Sequence, residues 1–280
     1  MRERVFSFGP SNGIVGILSE PDPSVARTNA PVVIASNVGM NHRVGPYRAY
    51  VELARALAAR GYPMLRFDLS GLGDSTPRRD NSDAFARAVR DVEDAMSALS
   101  ERKGATRFVQ LGFCSGVDSA HVVSVKDPRV AGALFVEGYS FRTPRFYLRR
   151  YLVRTQSPRF WRIYLRRKLA PLLPRGDGAR VAGDAVEIYT RLYPDRSALA
   201  KDYQALLARD VRMLFVFVGG SGADHAHNYE AQFYDNFPAL RRESRVELAY
   251  YPHAGHIFNY VGDRAELVAR IARWLEKQFP

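Results

Sequence analysis

The strongest constraint on this chain is an alternation. Eight short apolar, β-branched runs are separated, from the third onward, by stretches of helix length and helix period. The runs are Arg4–Phe8, Gly13–Leu18, Pro31–Ser36, Tyr62–Asp68, Arg107–Gly112, Val130–Gly138, Val211–Gly220 and Arg245–Pro252. The first two are joined by a turn-forming Gly-Pro-Ser-Asn-Gly, which predicts a pair of N-terminal strands. Several later runs are apolar throughout rather than alternating, as in "PVVIAS" and "VRMLFVFV". A strand that is apolar on both sides is covered on both faces. Between the runs lie candidate helices over Pro46–Gly61, Ser82–Gly104, the stretch after Cys114, 227–240 and 264–279. The first opens with Pro and ends on Gly, and the second is capped by Ser82 or Asp83. The expected class is α/β, a mostly parallel sheet with helices on both faces.

One segment breaks the rhythm. Residues 139–208 are rich in aromatics, Arg and Pro, and predict a helical lid inserted into a core formed by 1–138 and 209–280. The protein's formal charge is +12, and most of it is here. Between Phe141 and Arg180 there are twelve basic residues against a single acid, Asp177. Such a patch attracts anions, carrier proteins, membranes or nucleic acid alike. No nucleic-acid motif accompanies it. The N-terminus lacks the apolar run of a signal peptide, and no run approaches the ~20 residues that span a bilayer. With one cysteine there is no internal disulfide. A cytoplasmic location is the expectation, with no metal and no cofactor.

That cysteine sits in Gly112-Phe113-Cys114-Ser115-Gly116, between a predicted strand and a predicted helix. G-x-C-x-G in this context matches a nucleophile elbow with Cys in the place of Ser. Glycines two residues either side let neighbouring backbone approach a strained turn. The following helix aims its N-terminal amides at the site, where they favour a thiolate and a developing oxyanion. Ser115 is a poorer centre, because Phe113 and Val117 would flank it. An elbow implies an acid and then a base further along the chain. Asp224 follows the run ending at Val218, with Asp235 and Asp263 as rivals. His256 follows the last run, with His253 as rival.

With these stations filled, the chain resembles the α/β-hydrolase superfamily over nearly its whole length. "FDLSGLGDS" (Phe67–Ser75) resembles the family's loop after the fourth strand, where Asp68 and Asp74 would be structural. "ASNVGMNHRVGPYRAYVELARALAARGY" resembles its oxyanion loop and first helix. "SPRFWRIYLRRKL" and "NHRVGP" resemble exosortase A system-associated hydrolases of bacteria, and the cysteine elbow is similar to that of dienelactone hydrolases. The resemblance implies an eight-stranded sheet with a lid. It implies Cys114 as nucleophile, His256 as base and Asp224 as its orienting acid. The backbone amides of Ser115 and Val38, with Gly39 as alternative to Val38, would form the oxyanion hole. Asn37 and His42 are candidate substrate contacts.

Cysteine bears on the chemistry. A thiolate is a stronger nucleophile than an alkoxide-forming serine and leaves more readily. The acyl-enzyme would be a thioester, competent for transfer as well as hydrolysis. The expected function is acyl transfer on thioesters or esters, the acyl group carried on acyl carrier protein or CoA, with membrane contact through the basic lid as a further option. A simple esterase or lactone hydrolase, and a non-catalytic binder on the same fold, are the alternatives.

Overall fold

A computed structural model describes residues 1–155, 161–162, 193–220 and 227–280. All eight expected strands form one sheet: β1 (Arg2–Phe8), β2 (Ile14–Glu20), β3 (Val32–Ala35), β4 (Met64–Phe67), β5 (Phe108–Phe113), β6 (Val130–Val136), β7 (Arg212–Val218) and β8 (Val246–Tyr251). Their order is β1-β2-β4-β3-β5-β6-β7-β8. β1 and β2 pair antiparallel, as do β2 and β4, and every other pairing is parallel. The described helices of a turn or more are α1 (Ala49–Ala58), α2 (Ala84–Lys103), α3 (Gly116–Lys126), α4 (Pro144–Thr155), α5 (Arg196–Ala208), α6 (Gln232–Asn236) and α7 (Val261–Gln278).

The continuous apolar runs have the reason expected of them. All six residues of β5 are buried, because helices cover both faces. Side chains alternate between two apolar layers. Met213, Phe215 and Phe217 of β7 enter one layer with Phe135, Tyr203 and Met96. Leu214, Val216 and Val218 enter the other with Leu57, Phe113 and Trp274. Thus α2, α3 and α5 cover one face, and α1 and α7 the other. α5 lies within the segment expected to be lid, yet it buries Leu199, Tyr203 and Leu206 in the first layer. Most of the rest of that segment, 156–160 and 163–192, lies outside the described residues.

Helix boundaries follow local chemistry. Asp83 caps α2, its carboxylate accepting from the Ala86 amide at 2.7 Å, and Gly104 closes the helix at φ +67°. The helix expected from Pro46 instead begins at Ala49. Tyr47 and Arg48 adopt left-handed φ values of +47° and +69°, which a continuing helix excludes. The helix expected over 227–240 shortens to α6 plus a turn over Pro238–Leu240, since Pro238 has no amide to continue it.

Candidate functional site

In a parallel sheet the loops leaving the carboxyl ends of the strands gather along one edge. β5 is followed there by Cys114, whose φ is +52°. The two glycines of the motif make that turn possible. A Cβ on Gly112 would lie 2.4 Å from the Val117 Cα, so the helix could not fold back onto the strand. A Cβ on Gly116 would lie 2.9 Å from the Asn37 carbonyl oxygen, so the loop after β3 could not close against α3. The Cys114 amide donates to the Val136 carbonyl at 2.8 Å, which ties the elbow to β6.

His256 arrives from the loop after β8. Ala254 and Phe258 are buried and anchor it, and the Phe258 amide donates to the Gly255 carbonyl at 2.9 Å. Gly219 and Gly220 accommodate this loop. A Cβ on Gly220 would lie 2.4 Å from the His253 carbonyl oxygen. His256 Nε2 lies 3.2 Å from Cys114 Sγ. Its Nδ1 lies 2.8 Å from Glu137 Oε2. The rival His253 is exposed.

Among the described residues the carboxylate on His256 is Glu137, an acid the sequence reading did not single out. Asp224 lies outside the described residues. Register explains Glu137. β5 and β6 are neighbours, and Phe113 pairs with Val136. The next residues, Cys114 and Glu137, leave adjacent strands at one level, both with positive φ (+52° and +53°). Glu137 is only 7% exposed. Its Oε1 accepts from the Val218 amide at 2.7 Å, leaving Oε2 for the imidazole. The sequence did carry a signal: an acid at the end of the apolar run before a glycine, "LFVEG". Of the rival acids, Asp235 is engaged by the Tyr229 hydroxyl and by Arg241, and Asp263 sits in the first turn of α7.

The electrostatics follow from this row of groups. Burial opposes a charge on His256, but hydrogen bonds to Cys114 and Glu137 and their negative charges outweigh it, and its pKa is pushed up to about 9. Tyr50 of α1 is buried nearby and has no hydrogen-bond partner for its hydroxyl among the described residues. Burial first, and the negative charge of Cys114 second, push its phenol up.

The loop expected to supply the second oxyanion donor lies against the elbow. The Gly39 amide donates to the Ser115 hydroxyl at 2.8 Å, which engages the amide weighed as alternative to that of Val38. Val38 itself is buried in the second apolar layer. Asn37 is committed to its own loop. Its Nδ2 donates to Asp68 at 3.1 Å and to the Asn41 carbonyl at 2.6 Å, and its Oδ1 accepts from the Leu69 amide at 2.5 Å. Asp68 is fully buried and also binds the Arg43 guanidinium and amide. A Cβ on Gly73 would lie 2.3 Å from its carboxylate, so Asp68 acts as a staple between two loops. His42, Asp68 and Asp74 lie close enough to share one cation. Arg43 occupies that position, paired with both carboxylates.

A family model described as serine aminopeptidase, S33, matches residues 32–180, more than half of the chain. The chain belongs to this family. It is an α/β-hydrolase-type enzyme, and its sheet order, elbow and histidine loop are those just described. Solved structures agree on the fold. The esterase domain of a Rhodothermus marinus protein is 16% identical with a TM-score of 0.57, covering 99% of each chain. Dienelactone hydrolase from Anabaena variabilis ATCC 29413 is 14% identical with a TM-score of 0.57, again covering 99% of each. An alpha-beta serine hydrolase homologue from Coxiella burnetii is 17% identical with a TM-score of 0.55, covering 97% of this chain and 96% of its own. No curated protein matches the sequence. Within the S33 family this chain has cysteine, not serine, at the elbow. No helix among the described residues is long and apolar enough to cross a membrane.

Proposed function

We propose that the protein is an acyl-transfer enzyme that works through a thioester on Cys114, on acyl thioesters or esters. What supports the reading is the line of contacts from Sγ to imidazole to buried carboxylate, 3.2 Å and 2.8 Å long. A cationic His256 beside the sulfur favours the thiolate. The thiolate attacks the acyl carbonyl, and the C–S bond forms as the carbonyl electrons move onto oxygen. The backbone amides of Ser115 and Val38 are the proposed donors to that oxyanion. Collapse expels the thiol or alcohol, which takes the proton from His256 Nε2. His256, now neutral, removes a proton from the acceptor as it attacks the thioester, and the Cys114 thiolate leaves. Glu137 holds Nδ1–H throughout and so fixes the ring and its tautomer.

Cysteine in place of serine favours an activated donor, an acyl group on CoA or an acyl carrier protein, and leaves room for an acceptor other than water. The test is intact-mass spectrometry after mixing the protein with a panel of acyl-CoA thioesters. The expected result is a mass increase equal to the acyl group, absent in Cys114→Ala, and discharged by water, amines, alcohols or thiols at different rates. Full turnover by Cys114→Ala would overturn the proposal. Discharge by water alone, together with turnover of lactones, would assign a simple hydrolase like its structural neighbours.

A further inference from the structure

α4 is apolar on two faces. Its inner face docks through Phe146, which is 1% exposed. Thr143 Oγ1 accepts from the Phe146 amide at 3.1 Å and pairs with the Tyr229 hydroxyl at 2.6 Å. The Asn228 side chain donates to the Phe146 carbonyl at 3.1 Å. Such a helix normally turns charged residues to solvent. α4 instead exposes Tyr147 (43%), Leu148 (60%), Tyr151 (55%) and Leu152 (53%). At helical spacing these four fall within an arc of about 140°. Arginines edge the arc. The guanidinium groups of Arg145 and Arg149 lie 4.8 Å and 5.3 Å from the Tyr229 ring on one side. That of Arg150 lies 5.9 Å from the Phe146 ring on the other.

We propose that the outward face of α4 seats the enzyme on an anionic lipid surface, with Leu148 and Leu152 entering the acyl boundary, Tyr147 and Tyr151 at headgroup level and the arginines on lipid phosphates. Charge complementarity argues for an anionic surface, since α4 holds no acidic side chain and the stretch 141–180 holds one against twelve basic residues. The shape argues for lipid over an acidic protein. The apolar residues sit on a convex helix, and two of the four are leucines, which are scarce among the anchors of protein interfaces. Leucine flanked by tyrosine and arginine is the pattern of an interfacial helix. The proposal is independent of the chemistry at Cys114.

The test is flotation of the full-length protein with phosphatidylcholine vesicles, with and without phosphatidylglycerol. Flotation is expected only with phosphatidylglycerol. Leu148→Ser with Leu152→Ser should weaken it by about tenfold or more, and Arg150→Glu by several-fold, with unchanged thermal melts. Because Cys114 is the sole cysteine, Cys114→Ala with Leu148→Cys gives a single labelling position. An environment-sensitive dye there should shift to the blue on anionic vesicles. No flotation, equal flotation by the serine variant, or an unshifted dye would each overturn the proposal. So would binding to an acidic acyl carrier protein by a chain that ignores both vesicle types.

Discussion

At the scale of single residues the site divides a carboxylate between two tasks. Glu137 gives one oxygen to the Val218 amide and the other to His256. The two tasks separate by substitution. Glu137→Gln keeps an acceptor for the amide but cannot hold the imidazolium, so turnover should fall by ~10²- to 10⁴-fold with little loss of stability. In that variant the His256 titration followed by NMR should move down from about 9. Glu137→Ala should also cost about 1–3 kcal/mol in a urea melt, because the Val218 amide loses a buried partner. A His256 titration unmoved by Glu137→Gln would remove Glu137 from the site. Cys114 and His256 were legible as residues because each sits in a short local pattern, glycine-flanked after an apolar run. Glu137 was not, because its one local mark, an acid before a glycine at a strand end, does not say which neighbouring strand or loop it will meet.

The elements explain why that pattern is strict. Gly112 and Gly116 are needed for two different close approaches, strand against helix and loop against helix. Gly112→Ala places a Cβ 2.4 Å from backbone rather than from a flexible side chain, so it should destabilise the fold by several kcal/mol, about 3 or more, and displace α3. Thermal denaturation measures it. Ser115→Ala makes the milder test of the same junction. It removes the acceptor of the Gly39 amide and so loosens the loop bearing Val38. Turnover number should fall by ~10-fold while the Michaelis constant changes little, since an oxyanion donor matters most at the transition state. A change in the Michaelis constant alone would place the loop's role in substrate binding. The strands were readable because their burial on both faces makes them apolar throughout. The start of α1 was not, because the left-handed φ values of Tyr47 and Arg48 fall on residue types that do not signal them.

For the whole molecule, three histidines set opposite limits on pH. His256 has a raised pKa, so its stabilising contribution is complete below the ordinary value of 6.5 and is lost as pH climbs through about 9. His227 stacks 4.2 Å from the Phe217 ring, and its burial lowers its pKa to about 4 against the pull of Glu137. Its contribution is complete above 6.5 and is lost as pH falls toward 4. Burial lowers that of His121 too, against the pull of Asp202, so it adds to the acid side. The urea midpoint should therefore be highest near pH 6.5 and fall on either side. His256→Asn should flatten the alkaline limb, and His227→Gln the acid limb. Midpoints that keep both limbs in these variants would assign the pH dependence to other groups.

By itself the sequence determined the α/β class, the eight strands, the elbow and the histidine, because each is written in hydrophobic period or in a glycine that local sterics demand. The tertiary structure alone brought Glu137 to that histidine. Glu137 leaves β6 beside the elbow, level with Cys114. Only the order and register of parallel strands bring those two residues together. Neither is encoded near Cys114, because pairing between parallel strands is a contact across long stretches of chain and not a property of either strand.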